Sequence, residues 1–155
     1  MKLEAEFATA VTCHFACLSC ALDSELQSVA EHNYDPSVKL LLFEYDSPHF
    51  SEDFTVVVWP VGSAGRVVGA GRWLLKDGTV AVPAEIYWDG KYEEIEPWGV
   101  ASSLMEGWIA ERWKKFAECC GTISEYIGHH DSHFKTNLQD CSRTSWPEIL
   151  EKHRC

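Results

Sequence analysis

The stretch Val38-Lys-Leu-Leu-Leu-Phe-Glu-Tyr45, followed beyond a Ser47-Pro48 turn by Phe54-Thr-Val-Val-Val-Trp-Pro-Val61, decides the fold. Both runs are apolar, rich in β-branched and aromatic side chains, and bounded by turn residues, which is how strands read. Two more such runs follow at 66–75 and 80–88, with a candidate fifth at 91–95. Gly62-Ser63-Ala64-Gly65, Asp77-Gly78 and Asp89-Gly90 are short connections. Short connections join antiparallel neighbours, so these runs predict a four- to five-stranded antiparallel meander. Gly69 and Gly71 predict a bulge in the third run or a large side chain packed close against it. Pro83 predicts an edge or an irregular position in the fourth.

Upstream, residues 3–31 read as one long helix. Phe7, Val11, Phe15, Leu18, Leu22, Leu26 and Val29 recur at steps of four and three and form one apolar stripe. Pro36 ends it. Downstream, Ser103-Leu-Met-Glu106 has the capping-box pattern and predicts a helix that runs to Gly121. Thr122-Ile-Ser-Glu125 repeats the pattern and predicts a short helix ending at Gly128. Residues 129–144 read as polar and irregular, and Ser145-Trp-Pro-Glu148 starts a last short helix with Pro147 in its first turn. The expectation is one α+β domain over residues 1–155: a long N-terminal helix, an antiparallel meander sheet, then C-terminal helices packed on the sheet.

Composition narrows the function. Hydrophobic residues make up 46% of the 155 and charged residues 24%, a balance that buries a core. The net charge is −11, with −5 in residues 1–35, −5 in 36–100 and −1 in 101–155. An acidic surface disfavours direct contact with nucleic acid or an anionic membrane and favours a basic partner. Neither a basic-then-apolar leader nor a run of about 18 apolar residues stands out. Seven cysteines is an odd count, with Cys119 and Cys120 adjacent, which fits reduced thiols and a cytoplasmic location better than a disulfide framework.

Cys13-x-x-x-Cys17-x-x-Cys20 has the spacing that holds an iron–sulfur cluster in radical S-adenosylmethionine enzymes. Here it falls inside a helix, Ser19 stands where an aromatic is usual, and the chain is too short for the barrel that should follow. The three cysteines then form a small-residue face opposite the apolar stripe. That face suits another helix or a second copy of the chain in a homodimer. No cofactor is implied.

His129-His130-Asp131-Ser132-His133 is a second chemical cluster. His129 and His133 at i, i+4 would share a helix face and could ligate zinc, but no HExxH pattern accompanies them. His129 or His130 with Cys119 or Cys120 would make a thiol–imidazole pair. No GxSxG elbow, Walker loop or GxGxxG fingerprint is present.

The third cluster is acidic and aromatic. Glu44, Tyr45 and Asp46 end the first strand, and Glu52 and Asp53 precede the second. Trp88, Asp89, Tyr92, Glu93, Glu94, Glu96 and Trp98 follow the fourth. Acids beside Tyr and Trp suit an interface in which charge steers the encounter and rings anchor the complex.

In size, acidity, missing catalytic motifs and its sheet-plus-helices layout, the chain resembles bacterial immunity proteins of polymorphic toxin systems. More loosely it resembles small phage-encoded inhibitors such as anti-CRISPR proteins. The resemblance is compositional and carries no functional residue over. It implies a non-catalytic protein that binds and neutralises a toxin or nuclease. The competing expectation is a small metal- or thiol-dependent enzyme built on the 129–133 segment.

Overall fold

A computed structural model describes residues 2–75 and 79–154. The order is α1 (Lys2–Ala30), β1 (Leu40–Asp46), β2 (Asp53–Val61), β3 (Arg72–Trp73), β4 (Thr79–Ala81), α2 (Ala84–Tyr87), α3 (Pro97–Trp113), β5 (Ser124–His129), β6 (Phe134–Asn137), β7 (Arg143–Ser145) and α4 (Trp146–Lys152). The fold is α+β, as the sequence predicts.

The sheet is mixed rather than an antiparallel meander. Its strand order is β3-β2-β1-β5-β6-β7, with β4 also paired to β2. β1 and β2 form the expected antiparallel pair, from Leu40 opposite Val61 to Asp46 opposite Thr55. On its other side β1 runs parallel to β5, Leu40 beside Ser124 and Tyr45 beside His129. Of the short connections in the 38–95 region, the loop after Ser47-Pro48 and the Gly62–Gly65 loop join antiparallel neighbours, whereas β3 and β4 lie end to end along one edge of β2 and Asp89-Gly90 opens a 3-10 turn. These connections carry no information about a strand that returns from 124.

Several local expectations change with that strand. Thr122–Glu125 looks like a helix cap, yet residues 124–129 extend as β5. The polar 129–144 segment holds β6 and β7, a pair whose exposed positions hide any apolar alternation. Of the 66–75 run only Arg72–Trp73 is strand, and 80–88 splits at Pro83 into β4 and α2. Residues 91–95 are no strand; a 3-10 turn covers Gly90–Tyr92. α3 starts at Pro97, six residues before the capping pattern at Ser103. The Asp77-Gly78 connection lies outside the described residues.

Other local readings hold. Ser145 and Glu148 form the capping box of α4. A Cβ on Gly71 would stand 2.6 Å from the Trp59 ring, which is the close approach that glycine implied.

The two faces of the sheet are covered differently. Leu41, Phe43 and Tyr45 of β1 and Phe54, Val56 and Val58 of β2 face the stripe of α1 and the buried side of α3. There Trp113 is fully buried, edge-on to Phe43 at 5.2 Å between ring centres. The helices are tied at the rim by a bidentate pair of Arg112 on Asp23, which Lys115 joins at 3.3 Å. On the opposite face Leu40, Leu42, Val61 and Tyr126 pack under Ile149 of α4.

α1 also departs from expectation in two respects. By length and composition it is apolar enough to cross a membrane, although Phe7, Val11, Phe15, Leu22 and Leu26 lie in the core. Its Cys13, Cys17 and Cys20 face is exposed. The chain's last helix, α4, packs on the far side of the sheet and leaves that face open.

Glu125 is buried at 2% exposure, and burial holds its carboxyl above the ordinary value of 4.5, opposed by a hydrogen bond from Gln139 Nε2 at 3.2 Å. The folded chain therefore binds this proton more tightly than the unfolded one, and stability falls as pH rises from 4.5 through the raised value. Glu125→Gln removes that loss. Its melting temperature should match the native chain's near pH 4 and exceed it near pH 8. A gain of about 1 kcal/mol corresponds to about 3 °C for a chain of this size. Equal melting curves at both pH values would show that the buried carboxylate is not destabilising.

Candidate functional site

β1 and β5 are neighbours and parallel, and their chains leave in opposite directions, to β2 on one side and β6 on the other. Diverging strand ends leave a crevice at their carboxyl edge, as in open sheets that bind ligands there. Asp46 ends β1 and His129 ends β5, so this topology brings them together with His130.

The geometry is compact. Asp46 Oδ1 lies 3.4 Å from His129 Nε2 and 3.1 Å from His130 Nδ1. The other nitrogen of His130, Nε2, lies 3.0 Å from Asp131 Oδ1. The Ser47 amide donates to Asp46 Oδ1 at 2.8 Å, and the His130 amide donates to the Tyr45 carbonyl at 2.9 Å. The His129 ring is largely covered, edge-on to Trp98 at 5.4 Å and to Tyr45 at 5.5 Å. His133 is exposed against Phe134 and lies outside the Asp46–His129–His130 group, because the segment turns between strands instead of forming the helix that would align it with His129.

A hollow of about 480 Å³ opens beside His129, walled by Tyr45, Phe50, Trp98, Glu106 and Arg143. The Tyr45 hydroxyl donates to Glu106 Oε1 at 2.6 Å, and burial with the Glu106 charge pushes the phenol well above its ordinary pKa. Trp98 Nε1 is buried with no hydrogen-bond partner among the described residues, an unmet donor in the wall of this hollow.

Phe50 and Trp98 also wall a second, apolar groove of about 490 Å³, completed by Tyr87, Trp88, Glu96 and Pro97. Phe50 is 63% exposed and Trp88 62%. Two consecutive left-handed residues, His49 at φ 55° and Phe50 at φ 54°, present the Phe50 ring. Such backbone costs on the order of 1 kcal/mol per residue and persists only where surroundings enforce it. Here Ser47 Oγ donates to the Ser51 carbonyl at 2.7 Å, and the Tyr87 hydroxyl donates to the Phe50 carbonyl at 2.6 Å. Glu52 accepts from Trp88 Nε1 at 2.8 Å and sets that indole at the rim.

The acidic residues predicted as one surface thus divide. Glu52, Trp88 and Glu96 meet at the apolar groove. Asp53, Glu93 and Glu94 are exposed outside its wall. Asp89 caps the turn it starts and pairs with Lys91, which also reaches Glu6. Asp46 joins the histidines. Glu44 lies on the far sheet face and accepts from Trp59 Nε1 at 3.2 Å. Tyr92 is corrected outright: it is 3% exposed, edge-on to Phe7 at 5.1 Å in the core, so it cannot meet a partner.

The thiol–imidazole pairing finds no geometry. Among the described residues no cysteine is hydrogen-bonded to a histidine, and burial pushes the Cys120 thiol up to about 12, which holds it in the unreactive protonated form.

Sequence reasoning missed Phe50 and Lys135. A lone Phe in the polar 47–53 loop was the available signal for the first. Lys135 gives none, since nothing marks it as buried. Its stem crosses Gly128, and its ammonium donates to the His129 carbonyl at 2.6 Å. Burial lowers its pKa, opposed by Glu44, Glu106 and Asp131. No protein family, curated protein or solved structure matches the chain.

A Cβ on Gly128 would stand 2.6 Å from Lys135 Cδ. Gly128→Ala should therefore destabilise by about 1–3 kcal/mol, the usual effect of overpacking. In a Lys135→Ala background the same change should lose most of that effect. A urea-unfolding double-mutant cycle measures the coupling. Additive effects would mean that the close approach is not what requires glycine.

Proposed function

We propose that this chain is a non-catalytic binding protein that neutralises a partner protein, taking an apolar side chain flanked by lysine or arginine into the Phe50–Trp88–Trp98 groove. The observation that carries the reading is a strained loop holding an exposed Phe beside an exposed Trp over an apolar hollow with Glu52 and Glu96 at its rim. Strain and exposure both oppose folding of an isolated chain, and both serve a surface that is to be covered. Large exposed aromatics in a pocket are the residues that dominate interface energies. The net charge of −11 steers a basic partner toward them. A basic toxin and a nuclease of a bacterial defence system are both proteins of this description, in keeping with an inhibitor of the immunity or phage-encoded kind.

The test uses peptides selected from a random display library against the whole chain. Selected ligands should join Lys or Arg to a large apolar residue. Trp88→Ala should weaken them at least tenfold through faster dissociation. Glu52→Lys with Glu96→Lys should slow association and reduce its salt dependence, read by stopped-flow tryptophan fluorescence. Ligands that are acidic, or that bind Trp88→Ala with native affinity, would overturn the assignment of the groove.

A further inference from the structure

We propose that Asp46 Oδ1, His129 Nε2 and His130 Nδ1 bind one zinc ion at the carboxyl ends of β1 and β5, with a fourth coordination position left free by the three protein ligands. This goes beyond the groove reading and stands on different residues.

One ligand atom from each of Asp46, His129 and His130 lies within 4.8 Å of the other two. Zinc bonds to imidazole and carboxylate are about 2.0–2.1 Å, so two ligands at a tetrahedral angle sit about 3.3 Å apart. The separations from Asp46 Oδ1 are 3.4 and 3.1 Å. Two imidazoles and one carboxylate are a donor set of borderline softness that suits zinc, and three protein ligands are what an open site uses.

The surroundings are those of a ligand set as well. His130 has both ring nitrogens against carboxylate oxygens, 3.1 Å to Asp46 and 3.0 Å to Asp131. A neutral imidazole carries one N–H, so one lone pair would face an anionic oxygen. A cation placed between Nδ1 and Asp46 removes that repulsion and leaves Nε2–H to donate to Asp131. That is the carboxylate–histidine–metal arrangement that orients ligating histidines. The Ser47 amide at 2.8 Å holds Asp46 Oδ1 in the same manner. One contact must yield: the Asp131 amide lies 3.3 Å from His129 Nδ1, which takes the ring proton once Nε2 binds metal.

The experiment is equilibrium dialysis of tag-free, chelator-treated protein against zinc chloride, followed by cobalt(II) substitution. The expected result is one zinc per chain and the visible absorption of a four-coordinate cobalt site. His130→Ala and Asp46→Asn should each weaken binding at least tenfold, with circular dichroism confirming the fold. Asp131→Asn, which leaves all three ligands in place, should weaken it about 10–100-fold. The exposed thiols of α1 are a competing sink, so the titration is repeated with Cys13, Cys17 and Cys20 changed to Ser. Stoichiometric uptake that survives these changes and is lost in His130→Ala supports the site. Zinc that follows the cysteines, or no uptake, or a cluster that only binds protons and is indifferent to zinc, overturns it.

Discussion

Strand β5 lies parallel to β1, and everything on either side of that pair is arranged by it. A parallel partner cannot be reached by a hairpin, so the chain must pass out through β2, β3, β4 and α2 and return through α3 before β5 can be laid down. The return brings α3 onto α1 over one sheet face, where Trp113 seals against Phe43. It also starts the second hairpin arm, β6 and β7, on the side of the sheet that the first arm leaves vacant. α4 then closes the other face. The crevice holding Asp46, His129 and His130 is a direct product of two strands that run together and part.

The parts of the fold legible in the sequence are those whose signals are local and undiluted. The stripe from Phe7 to Val29 has a single period and no competing reading. The runs ending at Tyr45 and Val61 are so apolar that helix is excluded by length and flanking turns. β5 is different. Ser124-Glu-Tyr-Ile-Gly-His contains a Glu that is buried and a Gly that makes room for Lys135, so both read as surface or terminator when they are neither. β6 and β7 are short and mostly partly exposed, with β7 at the sheet's edge, so neither carries a run of alternating apolar residues.

The site was half legible. The sequence marks the histidines as a cluster but offers only a conditional pairing, His129 with His133, which needs a helix at 129–133 that the structure does not have. A strand end followed by a turn matches His129 and His130 with Asp46, more than 80 residues earlier. Long-range pairing of this kind has no sequence spacing to betray it. The acidic and aromatic residues between 44 and 98 were likewise grouped by sequence proximity. The fold sorts them between a groove, a capped turn, the histidine pair and the core, and Tyr92 shows that an aromatic between acids is still most simply a core residue.

The parallel pair also matters during synthesis. About 80 residues separate the end of β1 from the end of β5, and translation at 5–20 residues per second puts roughly 4–17 s between their emergence. For that interval β1 has a partner on one edge only. Its other edge, lined by Leu40 to Tyr45, is an unpaired apolar strand waiting on a ribosome. The nascent chain is then at its most adhesive, and crowded neighbouring ribosomes on one message would present the same edge to one another. Slower passage through the stretch between α2 and β5 would prolong that exposure.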